Sequence, residues 1–203
     1  LHEFPNLKGI FRAGIGKDNV PVQKTIKKHI LVRYPSQKTI DIIYEETASF
    51  TCSLIFRMLY NYVGTIEPWY KFDRPELSKK ILLVIGTGNI GRRVVKYMHP
   101  FMRVLTFDIM ENDVSELPGL IRQADCITLH IPKTDENDSF MDKNKLAMMK
   151  DNAVLVNTAR GTIVDENALY SEVSSGRLQA AFDVFWQEPY HSKLKEFYPE
   201  KFY

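Results

Sequence analysis

The sequence is poor in the residues that mark metal sites, disulfide-linked domains and membrane spans. Its two cysteines, Cys52 and Cys126, lie far apart and form no CxxC or other metal-ligand spacing, so we expect no metal site. Two separate thiols favour a reducing compartment, and we predict a cytoplasmic protein. The longest apolar stretches, such as Ile81 to Ile85, are much too short to span a bilayer. A net charge of +2 gives no reason to expect a nucleic-acid or membrane partner.

The remaining composition is that of an ordinary globular protein. Hydrophobic residues make up 44% of the 203 residues and charged residues 26%, and no repeat or low-complexity segment interrupts them. That length accommodates one large domain, or one domain and part of another. Because the sequence at Leu1 already resembles the middle of a fold, we expect the natural N-terminus to lie upstream.

The second half of the chain alternates between apolar runs and helical patterns. Asp142 and Asp165 are placed to cap two of the helices, and Gly176 ends the second of these. Strands that are apolar throughout and alternate with helices predict a parallel sheet covered on both faces, which is an α/β, doubly wound fold. The predicted strands are 81–85, 103–107, 126–131, 153–157 and 180–185, and the predicted helices are 89–98, 142–149 and 165–175.

The first half is dominated by one long helical pattern. It follows a turn at Tyr34-Pro35-Ser36 and continues to residue 62. The residues that recur at three- and four-residue steps are Ile43, Thr47, Phe50, Leu54 and Met58. Residues 64–75 contain two prolines and a glycine, which predicts a connection.

A glycine-rich hexapeptide follows the first predicted strand of the second half. Gly86, Gly88 and Gly91 form a GxGxxG motif that opens a helix, which is the context that a dinucleotide site requires. The glycines allow, in order, a tight turn, close approach of the backbone to a pyrophosphate, and close packing of helix on strand. The helix N-terminus would present N–H groups and a positive dipole end to the phosphates. The alternative is a glycine turn in an α/β domain that binds no nucleotide.

Asp108 supports the nucleotide interpretation. It ends the second strand, after the helix that Gly91 opens, where a carboxylate can accept hydrogen bonds from the adenosine ribose. That carboxylate would repel a 2′-phosphate, and no arginine follows it closely, so NAD is predicted rather than NADP. The segment from Ile109 to Asp125 is short for a helix between two strands. We therefore expect either an unusually short crossover or the absence of some residues.

Four segments carry a wider family pattern: RAGIGKDN at 12–19, LHIP at 129–132, VNTARG at 156–161 and FDVFWQEP at 182–189. In order and spacing they resemble the D-isomer-specific 2-hydroxyacid dehydrogenase family, and within it most of all the phosphoglycerate dehydrogenases. The resemblance spans nearly the whole chain. It implies reversible hydride transfer between NAD(H) and a small-molecule D-2-hydroxyacid or 2-keto acid.

The same resemblance implies a domain organisation. Residues 1–76 would be part of a flavodoxin-like substrate domain, and residues 77–203 a Rossmann NAD-binding domain. The helix around 45–62 resembles the arm through which family members dimerise, which implies a homodimer.

Three polar residues receive roles in the reaction from the resemblance. Arg160 would hold the substrate carboxylate with its planar guanidinium and polarise the keto oxygen, the alternative being a surface salt bridge. Glu188 would pair with the catalytic histidine, orient it and raise its pKa, the alternative being a solvated loop glutamate. Asp183 would meet the nicotinamide carboxamide, the alternative being a turn residue at a strand end.

Other residues would line the cofactor or the substrate by the same resemblance. Ile131 and the pair Thr158–Ala159 would line the cofactor, and Asn89–Ile90 would donate backbone N–H groups to the pyrophosphate. The loop at Gly14–Ile15 would offer backbone amides to the substrate carboxylate. Arg12 matches an arginine that lies near the substrate phosphate in phosphoglycerate dehydrogenases, and a structural role stays open for it.

The family's catalytic histidine has no match in this sequence. Family members carry it in a Pro-His pair well beyond the glutamate, and the sequence ends at Tyr203, close to where that pair would begin after Glu188. His191 lies too near Glu188 in the sequence, and His130 belongs to the LHIP segment, where a structural or cofactor-adjacent role is expected. We therefore expect the histidine, with the last strand of the NAD domain, to lie beyond Tyr203.

Two other functions stay open. Transcriptional co-repressors that sense NAD(H) resemble these dehydrogenases and keep much of the same site, so the fold does not separate a sensor from an enzyme. Other family members act on glycerate, lactate or larger 2-keto acids.

Overall fold

The structure, a computed structural model, describes residues 4–60 and 64–203. The chain divides into two compact units, Leu1–Glu46 and Thr47–Tyr203. The boundary near residue 76 was predicted from the family's domain organisation, and it stays a prediction.

The smaller unit contains one strand–helix–strand unit. Strands β1 (Gly9–Phe11) and β2 (Leu31–Arg33) pair in parallel, and helix α1 (Val22–Lys27) connects them. Thr25 on α1 is buried, and its hydroxyl donates to the carbonyl of Val22 at 2.7 Å. A parallel pair joined by a helix is the repeating unit of α/β folds. Its assignment as flavodoxin-like stays a prediction.

The long helical pattern forms helix α2 (Gln37–Tyr60). It begins directly after the predicted turn, where the hydroxyl of Ser36 accepts the N–H of Thr39 at 3.3 Å, as an N-cap side chain does. The prediction of a long helix is confirmed through Tyr60, and residues 61 and 62 lie outside the described residues. The predicted connection contains a short antiparallel pair, β3 (Gly64–Thr65) and β4 (Tyr70–Lys71).

The larger unit is built around a parallel sheet. Its strands are β5 (Ile81–Ile85), β6 (Arg103–Phe107), β7 (Cys126–Leu129), β8 (Val154–Asn157) and β9 (Gln179–Phe182), and they lie side by side in the order β6-β5-β7-β8-β9. All four pairings are parallel. The last residues of the chain continue the sheet beyond β9: Ala180 N–H donates to Lys201 at 2.8 Å, and Tyr203 N–H donates to Ala180 at 2.9 Å.

Helices cover both faces of this sheet. Alternate side chains of each strand enter two separate cores, so that Leu83 and Ile85 belong to one and Leu82 and Val84 to the other. Helices α4 (Leu117–Gln123), α5 (Lys143–Met148) and α6 (Glu166–Ser174) pack on the first core, and α2 and α3 (Gly91–Met98) pack on the second. Asp142 and Asp165 cap α5 and α6, as predicted. The doubly wound α/β fold is confirmed.

Three predicted elements of the second half differ from the structure by two or more residues at one end, and the others by at most one residue. The strand predicted to reach residue 131 ends at Leu129, the one predicted to reach 185 ends at Phe182, and the helix predicted from 89 begins at Gly91. Asp183 therefore follows its strand instead of lying within it. In each case apolar residues beyond the regular element pack in a loop, and an apolar pattern alone does not distinguish such a loop from a strand.

The crossover from β6 to β7 contains one short α-helix. Asp113 accepts the N–H of Ser115 at 2.8 Å, and Glu116 accepts the N–H of Asp113 at 2.9 Å, which starts the single helix α4. In the usual dinucleotide-binding sheet the strand order is 3-2-1-4-5-6, counted along that fold, so its third strand lies outside its second. Strand β6 of this chain corresponds to that second strand. In the described residues β6 is instead the edge of the sheet. Residues 109–125 are enough to connect β6 to β7 because the chain forms no additional strand outside β6.

The helices in the described part of the chain are too short or too polar to cross a bilayer. None in residues 4–60 and 64–203 is both long enough and apolar enough to cross a membrane.

Candidate active site

The predicted site residues of the larger unit follow the carboxyl ends of the parallel strands. Gly86 follows β5, Asp108 follows β6, Ile131 lies just beyond β7, Arg160 beyond β8 and Asp183 beyond β9. Parallel strands end at one common edge of the sheet, and ligands of doubly wound folds bind outside that edge. The topology therefore brings the residues predicted to bind NAD and the residue predicted to hold the substrate to the same side of the sheet.

The first and third glycines of the motif are required by close packing of the backbone. Gly86 has φ +91°, and a Cβ there would lie 2.7 Å from the carbonyl oxygen of His130. A Cβ on Gly91 would overlap the carbonyl oxygen of Gly86. Both contacts involve backbone atoms, which cannot move aside as a flexible side chain can. The turn and the helix–strand contact predicted for these glycines are confirmed.

Gly88 is different, because a Cβ there would meet nothing within 4 Å. The protein itself therefore does not need a glycine at this position. A pyrophosphate that approaches the backbone closely does need it, which is the role of the second glycine in this motif. The open space at Gly88 fits a dinucleotide at this loop.

The start of α3 adds positive potential to the loop. The helix begins at Gly91, and the N-terminal end of a helix carries a partial positive charge. Two hydrogen bonds hold Asn89 in place: Arg92 donates to its side-chain oxygen, and Arg93 donates to its carbonyl oxygen. Ile90 packs against the second core. The helix dipole and the two guanidinium groups both favour an anion at this end.

Asp108 is held by three donors. Its Oδ2 accepts the N–H of Thr87 at 2.9 Å and the hydroxyl of Thr87 at 3.1 Å, and its Oδ1 accepts the N–H of Met110 at 3.1 Å. These bonds, the one from the Thr87 N–H foremost, hold the pKa of the Asp108 carboxyl below its ordinary value. Asp108 therefore presents a negative charge beside the glycine loop, as the predicted recognition of a ribose requires.

His130 lies beneath the glycine loop. Its Cβ would be 3.4 Å from a Cβ at Gly91, and its ring Nε2 lies 3.0 Å from the hydroxyl of Thr128. Burial lowers the pKa of the imidazole to about 4, because the charged form would lose its hydration. The side chain is therefore neutral at physiological pH and supports the loop. The next residue, Ile131, also approaches Gly86, with Cγ2 about 3.0 Å from a Cβ built there.

The neutral state of His130 predicts a pH dependence of stability. In the unfolded chain the imidazole titrates near its ordinary pKa of about 6.5, so below that pH the unfolded state binds a proton that the folded state refuses. The free energy of unfolding should fall as the pH drops from about 6.5 to 4, by roughly 2–3 kcal/mol. In His130→Gln this fall should be smaller by that amount when measured by urea unfolding at several pH values. The exposed His99, replaced in the same way, serves as the control, and equal profiles for the two variants would contradict the prediction.

The loop after β8 is shaped by Asn157. This buried side chain donates to the carbonyl of Arg160 at 2.8 Å and accepts the N–H of Ala159 at 3.0 Å. The carbonyl of Asn157 also accepts the N–H of Asp183 at 3.0 Å, which ties the loop to the end of β9. Asn157 therefore fixes the backbone on which Arg160 is carried.

Thr158 connects the same loop to helix α2. Thr51 uses its single hydroxyl proton on the carbonyl of Thr47 at 2.8 Å, so Thr158 must donate to Thr51, at 2.9 Å. Arg160 follows, partly buried, and its Nη1 donates to the carbonyl of Ala159 at 2.6 Å. The guanidinium is thus held near its own loop rather than extended into solvent.

The loop that carries Glu188 packs against this arrangement through aromatic residues. A Cβ on Gly161 would overlap the backbone of Phe185, so a glycine is needed where the two loops meet. Trp186 donates its indole N–H to the carbonyl of Val164 at 2.6 Å, and Tyr190 donates to Glu166 at 2.9 Å. The loop is therefore fixed on both sides of Glu188.

Asp183 and Glu188 lie close enough to influence each other. Partial burial of its carboxyl raises the pKa of Asp183, and the negative charge of Glu188 raises it further, although the residue as a whole is exposed. Glu188 accepts the N–H of Phe185 at 3.3 Å. Because their environments differ, the two carboxyl groups can take different roles: one can form hydrogen bonds, and the other can pair with a cation.

The predicted substrate loop belongs to the smaller unit. There the Nε of Arg12 donates to the carbonyl of Gly16 at 3.2 Å, and its guanidinium lies 3.1–3.3 Å from the position of a Cβ at Gly14. Ile15 lies partly buried in the same turn. Arg12 is therefore folded over its own loop.

Sequence reasoning missed the residues that form hydrogen bonds between the ends of neighbouring strands. Thr87 and Asp108 belong to the ends of different strands, as do Asn157 and Asp183, so their contacts depend on strand pairing and on loop shape. The available signal was weak: a threonine in the variable position of the motif and an asparagine at the end of an apolar run.

In residues 4–60 and 64–203, no three His, Cys, Asp or Glu side chains come together to hold a metal ion.

Comparison with known proteins identifies relatives. The model of the family described as "D-isomer specific 2-hydroxyacid dehydrogenase, NAD binding domain" matches residues 64–199. The chain is 36% identical to a hydroxypyruvate reductase of Thermotoga maritima, across 91% of this chain and 64% of that protein. It is also 36% identical to a D-3-phosphoglycerate dehydrogenase of Methanocaldococcus jannaschii, across 93% of this chain and 39% of that protein. The chain thus spans less than two thirds of either relative.

Solved structures give the same result. A D-lactate dehydrogenase from Aquifex aeolicus, complexed with NAD and lactic acid, superposes with a TM-score of 0.79 at 28% identity, covering 100% of this chain and 69% of that one. An NAD-dependent formate dehydrogenase from Staphylococcus aureus in complex with NAD superposes with a TM-score of 0.79 at 27% identity, covering 100% of this chain and 65% of that one. These similarities agree with the fold and with the cofactor predicted from Gly86–Gly91 and Asp108.

Proposed function

Because the chain belongs to the D-isomer-specific 2-hydroxyacid dehydrogenase family and carries its NAD-binding domain, we propose that it transfers a hydride between NAD(H) and C2 of a D-2-hydroxyacid or its 2-keto acid. The observation that carries the proposal is the order of groups at one edge of the sheet. The dinucleotide loop and Asp108 lie at β5 and β6, and Arg160 lies at β8. A nicotinamide cofactor and a carboxylate substrate would thus bind side by side.

The residues of the glycine loop would hold the cofactor. Gly88 leaves room for the pyrophosphate, Asn89 and Ile90 would donate backbone N–H groups to it, and Asp108 would accept hydrogen bonds from the adenosine ribose. Ile131 and the Thr158–Ala159 turn would line the nicotinamide half. NAD supplies the hydride acceptor and NADH the hydride donor when bound.

Arg160 would hold the substrate. Its planar guanidinium can donate two parallel hydrogen bonds to a carboxylate and polarise the adjacent keto oxygen, which favours hydride addition at C2. The fixed backbone around Asn157 restricts the orientation of Arg160, and orientation of reacting groups is a large part of the rate of such reactions.

Asp183 and Glu188 would complete the site. Asp183 would contact the nicotinamide carboxamide, and Glu188 would orient a histidine that moves the proton to or from the substrate oxygen. A carboxylate beside an imidazole stabilises its charged form and raises its pKa, which keeps a proton available near neutral pH. The hydrogen bonds of Trp186 to the Val164 carbonyl and of Tyr190 to Glu166 support this role, because they fix the loop that carries Glu188.

The proposed substrate is a small 2-keto acid of the hydroxypyruvate type, with or without a 3-phosphate. Two relatives of equal identity are named for these substrates, a hydroxypyruvate reductase and a D-3-phosphoglycerate dehydrogenase. Arg12, beside Gly14 and Ile15, supplies a cation that fits a carboxylate or a phosphate.

A homodimer in the cytoplasm is part of the proposal. Helix α2 exposes aromatic residues, with Phe50 44% and Tyr60 39% exposed, and such residues are enriched at interfaces between subunits. Cys52 and Cys126 are both buried free thiols, which favours a reducing compartment.

The test uses the full-length protein and two readouts. NADH is titrated by fluorescence, and 2-keto acids are then added while the nicotinamide absorbance is followed. The panel contains hydroxypyruvate, 3-phosphohydroxypyruvate, glyoxylate, pyruvate and a branched 2-keto acid, and the reverse reaction is run with D- and L-enantiomers.

The expected result is NADH binding followed by oxidation with hydroxypyruvate or its 3-phosphate, and reverse turnover of the D-enantiomer. Binding without turnover of any acid would replace the enzyme with an NAD(H) sensor on the same fold. Turnover of another acid would keep the reaction and correct the substrate.

A further inference from the structure

Thr87 occupies the variable position between the first two glycines of the motif, and two of its atoms bind Asp108. Its backbone N–H and its hydroxyl both donate to the same carboxylate oxygen, Oδ2, at 2.9 and 3.1 Å. The backbone bond is available to any residue at this position except proline. The hydroxyl bond is a property of the side chain, and it is the longer of the two.

The hydrogen bonds around Asp108 determine which oxygen faces outward. A carboxylate has about four acceptor positions, two on each oxygen. Thr87 fills both positions on Oδ2, and the N–H of Met110 fills one on Oδ1. The position that is left lies on Oδ1, so the carboxylate offers one defined oxygen to a ribose hydroxyl instead of rotating between two.

The same bonds keep the carboxylate from turning away. A 2′-phosphate on the ribose would meet a negative charge that three donors hold in place. If the hydroxyl of Thr87 were absent, Oδ2 would keep one donor, and the carboxylate could rotate away from the phosphate at a smaller energetic cost.

We propose that the Thr87 side chain is a specificity-determining residue for the dinucleotide, which positions the Asp108 carboxylate and thereby increases the preference for NAD(H) over NADP(H). It acts through Asp108 and is a positioning residue. The proposal depends on the NAD-binding site and not on the reaction proposed above, so it is tested by binding alone.

The experiment measures the dissociation constants of NADH and NADPH by fluorescence titration. The variants are Thr87→Val, which removes the hydroxyl at nearly constant shape, Thr87→Ala as a second removal, and Thr87→Ser, which keeps the hydroxyl. Each is also made in an Asp108→Ala background, which gives a double-mutant cycle. Urea unfolding of each variant accompanies the titrations, so that a loss of folding is recognised as such.

Thr87→Val and Thr87→Ala should weaken NADH binding about threefold to tenfold, which is the net contribution of one typical intramolecular hydrogen bond. NADPH binding should be unchanged or stronger, so the ratio of the two constants shifts toward NADPH. Thr87→Ser should stay within about twofold of the original chain. In the Asp108→Ala background, Thr87→Val should change NADH binding by less than about twofold.

A loop-bracing role would give another pattern and overturn the proposal. If Thr87 only supported the phosphate loop, Thr87→Val would weaken NADH and NADPH equally and would do so in the Asp108→Ala background as well. An unchanged ratio in Thr87→Val, or a Thr87→Ser variant as weak as Thr87→Val, would also contradict it.

Discussion

Replacing Gly88 with alanine should strongly weaken dinucleotide binding and leave the fold as stable as before. In the protein alone, a Cβ at Gly88 meets nothing within 4 Å, and its φ does not lie in the left-handed region. The free energy of unfolding should therefore stay within about 0.5 kcal/mol of its original value. The same Cβ would occupy the space through which a pyrophosphate reaches the backbone. We expect NADH affinity to fall about a hundredfold, which corresponds to roughly 2.7 kcal/mol.

Gly119 provides a matched control for this substitution. It lies within helix α4, and a Cβ there also meets nothing within 4 Å. Gly119→Ala should raise the free energy of unfolding by about 0.5–1 kcal/mol, because alanine loses less backbone entropy in a helix. It should not change NADH binding. Fluorescence titration and urea unfolding measure both effects, and a Gly88→Ala variant that binds NADH normally would show that the pyrophosphate does not approach this loop.

The contrast between Gly88 and Gly91 shows how far the motif could be read from the sequence. The spacing predicts the roles of all three glycines, because a dinucleotide-binding turn needs each for a different contact. The spacing assigns Gly91 to packing within the protein and Gly88 to the ligand, and the structure adds the atoms: a Cβ at Gly91 would overlap the Gly86 carbonyl, whereas one at Gly88 meets nothing within 4 Å. That difference depends on three-dimensional packing, and it decides which substitution tests binding without disturbing the fold.

The sheet was predictable for a physical reason. Strands such as Ile81–Ile85 are buried on both faces, so they are apolar throughout and stand out from the helices between them. Their ends were less predictable. Phe185 and Trp186 continue the apolar pattern after β9, but they pack in a loop against Gly161 and the Val164 carbonyl. Asp183 was accordingly assigned to a strand that ends one residue before it.

The short crossover after Asp108 was noticed from its length, but its meaning required the strand order. Its length left two explanations open, a compact crossover or missing residues. The order β6-β5-β7-β8-β9 shows that the chain passes directly from β6 to β7 by way of α4. Length alone cannot predict this, because the same segment could have formed a strand and no helix.

Arg160→Lys tests whether Arg160 binds the substrate or stabilises the fold. This prediction depends on the proposed reaction. Lysine keeps the charge but loses the planar fork that binds a carboxylate through two hydrogen bonds. We expect kcat/KM for the 2-keto acid to fall about a hundredfold to a thousandfold in the full-length protein, which corresponds to roughly 3–4 kcal/mol. NADH affinity should stay close to its original value, because lysine keeps the charge and can also donate to the Ala159 carbonyl that Arg160 binds.

Arg177→Lys is the matched control, with the opposite expectation. Arg177 donates to Glu172 at 2.6 Å, to the Met149 carbonyl at 2.7 Å and to the Leu146 carbonyl at 2.6 Å, and so connects α5 to the end of α6. One ammonium group cannot reach all three acceptors, so the free energy of unfolding should fall by about 1–2 kcal/mol. Its kcat/KM should stay within about twofold, because Arg177 lies away from the carboxyl ends of the strands. If Arg160→Lys turned over substrate as well as Arg177→Lys does, the carboxylate would have to bind elsewhere, and Arg12 would be the next cation to replace.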